Sequence, residues 1–184
     1  VGLRIEAGAI ARAIAADYAA GHMRREDKDV AFAGEAGGLS IDPAITPGRT
    51  IPLLSASYDM VLKDGLRILG ARPKDIRAAL RGASGEIRSM VVIFTQGGEA
   101  RIAGPVSLDA AGLIDGDITV TFKNGEKLGA ALAKALPEAA SVIQPALSAA
   151  AIAAGKDKEA ILTLTIRKGK VSAGFFPIGI IPPL

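Results

Sequence analysis

The sequence predicts an α+β fold: a mainly antiparallel, curved β-sheet of about six to eight strands with two or three helices packed on one face. Three observations carry this. Residues 95–122 hold two alternating runs, with Ile102, Gly104, Val106 and Leu108 on one parity, then Ile114, Gly116, Ile118, Val120 and Phe122. Period-two alternation across a Gly-containing break means an antiparallel hairpin with one buried and one wet face. Similar runs occur at 54–63, 86–94 and 162–175. After Phe122 the period changes to 3.6, with Leu128, Leu132 and Leu136 in one stripe up to Pro137.

In chain order, Val1 to Glu6 alternates weakly and predicts a short strand. Ile10, Ile14 and Tyr18 recur at helical spacing, so Ala7 to Ala20 predicts a helix stopped by Gly21. His22 to Lys28 reads as a charged connection. Asp29 to Glu35 predicts a strand that breaks or bulges at Gly37-Gly38 and resumes over Leu39 to Ile41. Pro43, Pro47, Gly48 and Pro52 mark a rigid loop.

Leu54 to Leu62 is a strong strand. Asp64-Gly65 signals a hairpin turn, which makes Leu66 to Gly70 the returning strand. Pro73 fits the first position of a helix through Arg81, with Ile76 and Leu80 inward. Met90 to Phe94 is apolar on both faces and belongs in the middle of the sheet. Asn124 suits the N-cap of the Leu128 helix. A second, Ala-rich helix follows from Pro137 to Ala154, bent or interrupted at Pro145. Leu162 to Ile166 and Val171 to Phe175 form a last hairpin about Lys168-Gly169. The Pro-rich tail from Pro177 cannot be an interior strand.

Length and composition narrow the chemistry. The chain of 184 residues suits a single domain over 1–184. Hydrophobic residues make up 49% but aromatics only 4%, so the core consists of aliphatic and small side chains. There is no cysteine and one histidine, which removes thiolate catalysis, Cys-ligated metals and any multi-histidine site within this chain. His22 has no partner of the kind a general base needs. Asp109, Asp115 and Asp117 lack the spacing of an EF-hand loop. Ser84 misses the nucleophile-elbow pattern, and no phosphate-binding glycine loop is present. The apolar stretch 128–155 is divided by Pro137 and Pro145, short of an unbroken membrane span. These readings imply no enzyme, no cofactor and no metal.

The net charge of +3 is concentrated. Between Lys63 and Arg88, seven basic residues (Lys63, Arg67, Arg72, Lys74, Arg77, Arg81, Arg88) face three acids (Asp64, Asp75, Glu86). No aromatic residue interleaves them, which disfavours nucleic acid. Lys74, Arg77 and Arg81 share one side of the expected helix. That side is either a solvated face or a contact with anionic membrane head groups.

The segment Gly104-Pro105-Val106-Ser107-Leu108-Asp109…Gly112…Gly116, with the closing Lys170 to Gly179, resembles a bacterial domain-of-unknown-function family, mostly alphaproteobacterial. Loosely, the strand pattern is also similar to AsmA-like proteins, whose β-grooves are associated with lipid handling. The resemblance covers roughly residues 86–184 and carries no catalytic residues. It implies an N-terminal membrane anchor and an envelope-facing domain, hence a periplasmic protein tethered to the inner membrane by a segment outside this chain. Two functions follow as expectations. In one, a non-enzymatic envelope protein binds lipid or another apolar ligand in a β-sheet groove, with Phe94, Ile118, Val120, Phe122, Leu164 and Phe175 as candidate lining residues. In the other, the Pro-rich tail or an edge strand docks another envelope protein. The apolar face itself has two readings: a core covered by the protein's own helices, or the wall of a ligand site.

Overall fold

The computed structural model describes residues 14–46, 49–72, 75–155 and 159–184. The strands are β1 (Ile14–Ala15), β2 (Tyr18–Glu26), β3 (Asp29–Ile41), β4 (Leu54–Leu62) and β5 (Ser84–Phe94), followed by β6 (Glu99–Leu108), β7 (Ile114–Lys123), β8 (Ala160–Arg167), β9 (Lys170–Ala173) and β10 (Phe176–Ile180). The helices are α1 (Gly65–Leu69), α2 (Ile76–Leu80), α3 (Gly125–Ala135) and α4 (Ala140–Ala154). The α+β expectation holds. Among the described residues there are ten strands rather than six to eight, and four helices rather than two or three.

All ten strands join one open, curved sheet in the order β1-β3-β4-β5-β6-β7-β8-β9-β10, and β2 also pairs with β3. Every pairing is antiparallel, so from β2 onward each strand lies beside the next in sequence. Two connections are long enough to carry helices. The β4–β5 link holds α1 and α2, and the β7–β8 link holds α3 and α4.

Register fixes the faces. Ala56, Val92, Ala100, Phe122 and Ala160 form one row; Leu54 and Phe94 belong to the row on one side, and Met90, Ile102, Val120 and Leu162 to the row on the other. Against this apolar face pack α3 and α4, which close a core of Phe94, Ala100, Phe122, Leu128, Ala131, Leu147 and Ala160. Phe122 and Leu128 are almost wholly buried. Each contributes about 1.5–3 kcal/mol by leaving water. Asn124 caps α3 as expected, its side-chain oxygen accepting the Lys127 N–H at 3.3 Å.

The sheet bends where single residues are inserted. The pairing slips at Gly37-Gly38 in β3, as the sequence predicts, and again between Ile87 and Met90 in β5. An extra residue sharpens local twist. Opposite the second slip, Gly104 takes φ +142°, and a Cβ there would strike the Asp117 carbonyl. Pro105 follows it in β6. Having no N–H, it fits an interior strand only where pairing is already disturbed.

Five local expectations are corrected. Residues 1–13, which include the expected first strand and the start of the Ala7–Ala20 helix, lie outside the described residues. From Ile14 the chain is strand, not helix, and the supposed connection His22–Lys28 is mostly β2, turning only at Asp27-Lys28. Long-range pairing wins over alanine's helix preference here: all nine residues of β2 are paired with β3. Gly37 leaves room for the Tyr18 ring, which a Cβ would strike.

Leu66 to Gly70 is not a returning strand either. Asp64 adopts φ +49° and turns the chain into α1, whose Ile68 is buried. The Pro73–Arg81 helix shrinks to Ile76–Leu80, with Pro73 and Lys74 outside the described residues. Pro145 does not interrupt α4, which runs through it. The tail agrees with expectation: Pro177 sits in β10, at the edge of the sheet.

Candidate functional site

The apolar face is only partly filled by its helices. Among the described residues, two apolar cavities lie on it, one at each end of the central strands. The first, of about 290 Å³, lies between the sheet and α3–α4. Val92 and Phe94 of β5, Ile102 of β6, Val120 of β7 and Leu162 and Leu164 of β8 form its floor. Leu128, Leu132, Ile143 and Leu147 form its roof, and Ile178 of β10 contributes to its side. No polar surface lines it.

The second cavity, of about 280 Å³, occupies the other end of the same strands. Phe32, Met60, Leu62, Ile87, Val106 and Ile114 line it, with Leu80 at the end of α2 and Leu184 of the tail. Along β6 the division is visible residue by residue. Ala100 and Ile102 wall the first cavity, Val106 and Leu108 wall the second, and Gly104 lies between.

The six expected lining residues separate into three groups. Phe94, Val120 and Leu164 line the first cavity. Ile118 and Phe122 lie on the same face but are packed into the interior, 5% and 2% exposed, and line neither cavity. Phe175 is misplaced by the alternation. The chain turns at Gly174, φ +57°, so Phe175 stands fully in solvent in the β9–β10 turn, and Phe176 opposite Ala173 resumes the pairing. Sequence reading missed Val92, Ile102 and Leu132, which alternation and helical spacing already place on this face. It also missed the whole second cavity, because a slip in register pairs odd-numbered Ile87 with even-numbered Gly104 and so puts it on the wall with Val106.

Of the basic trio, Lys74 lies outside the described residues. Arg77 and Arg81 are exposed on α2 and at its C-terminal end, beside Leu80. Neither has a carboxylate partner among the described residues.

The opposite face of the sheet is polar and held by ion pairs. Arg88, at the β5 slip, reaches Glu26 through both guanidinium nitrogens (2.8 and 3.3 Å), and Arg24 also donates to Glu26. These two cations hold the Glu26 carboxyl down from 4.5 to about 2, the Arg88 hydrogen bond being the largest cause. Lys63 (2.9 Å) and the Asp64 N–H (3.0 Å) lower the Asp29 carboxyl, and Asp29 in turn raises Lys63. The aspartates that suggest calcium have structural partners. Asp109 accepts the Ala111 and Leu113 N–H groups, Asp115 accepts the Lys168 N–H, and Asp117 holds Arg167 at 2.8 and 2.9 Å. Among the described residues no group of three or more His, Cys, Asp or Glu is placed to hold a metal. Nor is any described helix long and apolar enough to cross a membrane.

Fold and cavities together define an α+β sheet protein with an incompletely filled apolar face, and the family comparison says which family it belongs to. The chain belongs to DUF2125, described as an uncharacterized protein conserved in bacteria, which it matches over residues 2–182. The family therefore extends well before residue 86, where the resemblance in the sequence begins. Neither the curated proteins nor the solved structures give a match, and no comparison extends the likeness to AsmA-like proteins.

Proposed function

We propose that this is a non-enzymatic protein of the bacterial cell envelope that binds a lipid or another apolar ligand between its sheet and α3–α4. The single observation that carries the reading is the first cavity. Protein interiors pack with few voids larger than a water molecule. A wholly apolar space of about 290 Å³ under a two-helix cover is close to the small end of ligand sites. Water gains nothing there, since no lining atom hydrogen-bonds to it. An aliphatic chain would gain dispersion contacts with both floor and roof. A periplasmic location, with tethering to the inner membrane by a segment outside this chain, belongs to the same proposal and is supported by the resemblance of residues 86–184. Native mass spectrometry of the purified protein, followed by solvent extraction, tests it. A bound apolar species of discrete mass is expected; protein of bare mass, with an empty extract, counts against it.

A second reading has its own observation. Phe175 in the β9–β10 turn and Phe176 and Ile180 of edge strand β10 are all exposed, 101%, 70% and 75% respectively. Edge strands with bare apolar residues invite pairing, and this one suits docking of another envelope protein. The tail beyond it is not free: the Ile181 and Leu184 N–H groups donate to Gly169 and Gly112 carbonyls at 2.7 and 3.0 Å. Docking would therefore use the exposed side chains of β10 rather than a loose Pro-rich segment. Replacing Phe175 and Phe176 by Ser while retaining the melting temperature separates this role from folding.

A further inference from the structure

We infer that the second cavity is a separate site for a single-chain amphiphile with an anionic head group, the chain inside and the head group held by Arg77 and Arg81. The cavity offers about 280 Å³ walled by Phe32, Met60, Leu62, Ile87, Val106 and Ile114. Leu80 and residues 83–87 supply one continuous part of its wall. Leu80, Ala83 and Ser84 line the cavity, so Arg81, between Leu80 and Ala83, stands at its edge. Arg77 lies one helical turn before Leu80 on the same side of α2. Both guanidinium groups are exposed and have no carboxylate partner among the described residues. The other strong cations nearby are committed elsewhere, Lys63 to Asp29 and Arg88 to Glu26. Glu86 is the one acid on the wall, and it sits in the fields of Lys63 and Arg88.

An apolar hole with two unpaired arginines at its lip fits a ligand that is aliphatic at one end and negative at the other. A neutral chain leaves the guanidinium groups unused, and a cationic one is repelled. Guanidinium is the natural partner of a carboxylate or phosphate, which it grips with two parallel N–H groups. The first cavity has no such feature, so this inference goes beyond the proposed function and stands without it.

Laurate and dodecyltrimethylammonium below their micelle concentrations, and dodecanol below its solubility limit, are the probes, and calorimetry reads their binding to the whole chain. Each arginine beside an anionic group is worth about fivefold, so laurate should bind roughly thirtyfold more tightly than dodecanol at low salt. High salt should reduce that preference while leaving dodecanol unchanged. Arg77→Gln with Arg81→Gln should bring laurate to the dodecanol level, and Ile87→Trp, which fills the cavity, should abolish its binding. Val120→Trp, which fills the first cavity, should not. Equal affinity for laurate and dodecanol in the unaltered protein would overturn the inference without any variant. So would laurate binding that survives Ile87→Trp but is lost in Val120→Trp. Anionic phosphatidylglycerol vesicles supply the last arm. Adsorption needing both arginines, with no laurate binding as monomer, would assign them to a membrane surface and end the inference.

Discussion

Truncating Leu128 to alanine tests the packing that roofs the first cavity. Leu128 is 1% exposed and belongs to the core, yet it also lines the void. The lost transfer energy of its side chain is about 2 kcal/mol. Because the site is already under-filled, its neighbours have no close atoms on the cavity side to pull them inward. The space vacated, roughly 60 Å³, therefore persists and adds about 1.5 kcal/mol at about 24 cal/mol per Å³. Leu128→Ala should cost about 3–4 kcal/mol, a large part of the 5–15 kcal/mol typical of a domain. Leu164→Ala, on the floor and only half-buried, should cost about 1–2 kcal/mol. Urea unfolding at constant slope measures both. A loss below about 1 kcal/mol for Leu128→Ala would refute the account of the core. So would equal losses at the two positions, because the gradient from packed roof to open floor would then be absent.

Other consequences are checked on single variants. Gly104→Ala should destabilise by about 2–3 kcal/mol, since both its φ and the Asp117 carbonyl oppose a Cβ. Gly82→Ala, with φ +74° but open space around it, should lose only about 1 kcal/mol in the same urea assay. The folded-state pKa of Glu26 is depressed, so its contribution is fully present above pH 4.5 and is lost as pH falls toward 2. In Arg88→Ala that part of the acid limb should move up, and carboxyl NMR should show Glu26 titrating closer to 4.5. Phe175→Ser should leave the melting temperature within a degree or two of the parent, because the ring touches solvent and not the sheet.

The strands from β3 to β9 were legible, though not the β4–β5 pairing, because one face is wet and one dry, and alternation records that directly. Val120 and Phe122 were assigned to the right face for this reason. What alternation does not record is depth. Phe122 is sealed beneath α3 while Val120, two residues earlier, opens onto a cavity, and the difference lies in where the helices stop. Bulges hide the rest. One inserted residue near Arg88 changes the parity of β5, which concealed the second cavity. Near the N-terminus, helical spacing of Ile14 and Tyr18 competed with pairing to a β3 strand rich in glycine, a contact with no local signature. At Phe175 a left-handed glycine turned the chain one residue earlier than the pattern suggested.

Isotope-filtered NMR on the protein mixed with ¹³C-labelled dodecanol tests the central claim most directly. The account predicts intermolecular NOEs from the alkyl chain to the methyl groups of Val92, Val120, Leu132 and Leu164, which surround the first cavity on four different elements. An alkyl chain that shows no NOE to these methyls, or only to the exposed rings of Phe175 and Phe176, would contradict it.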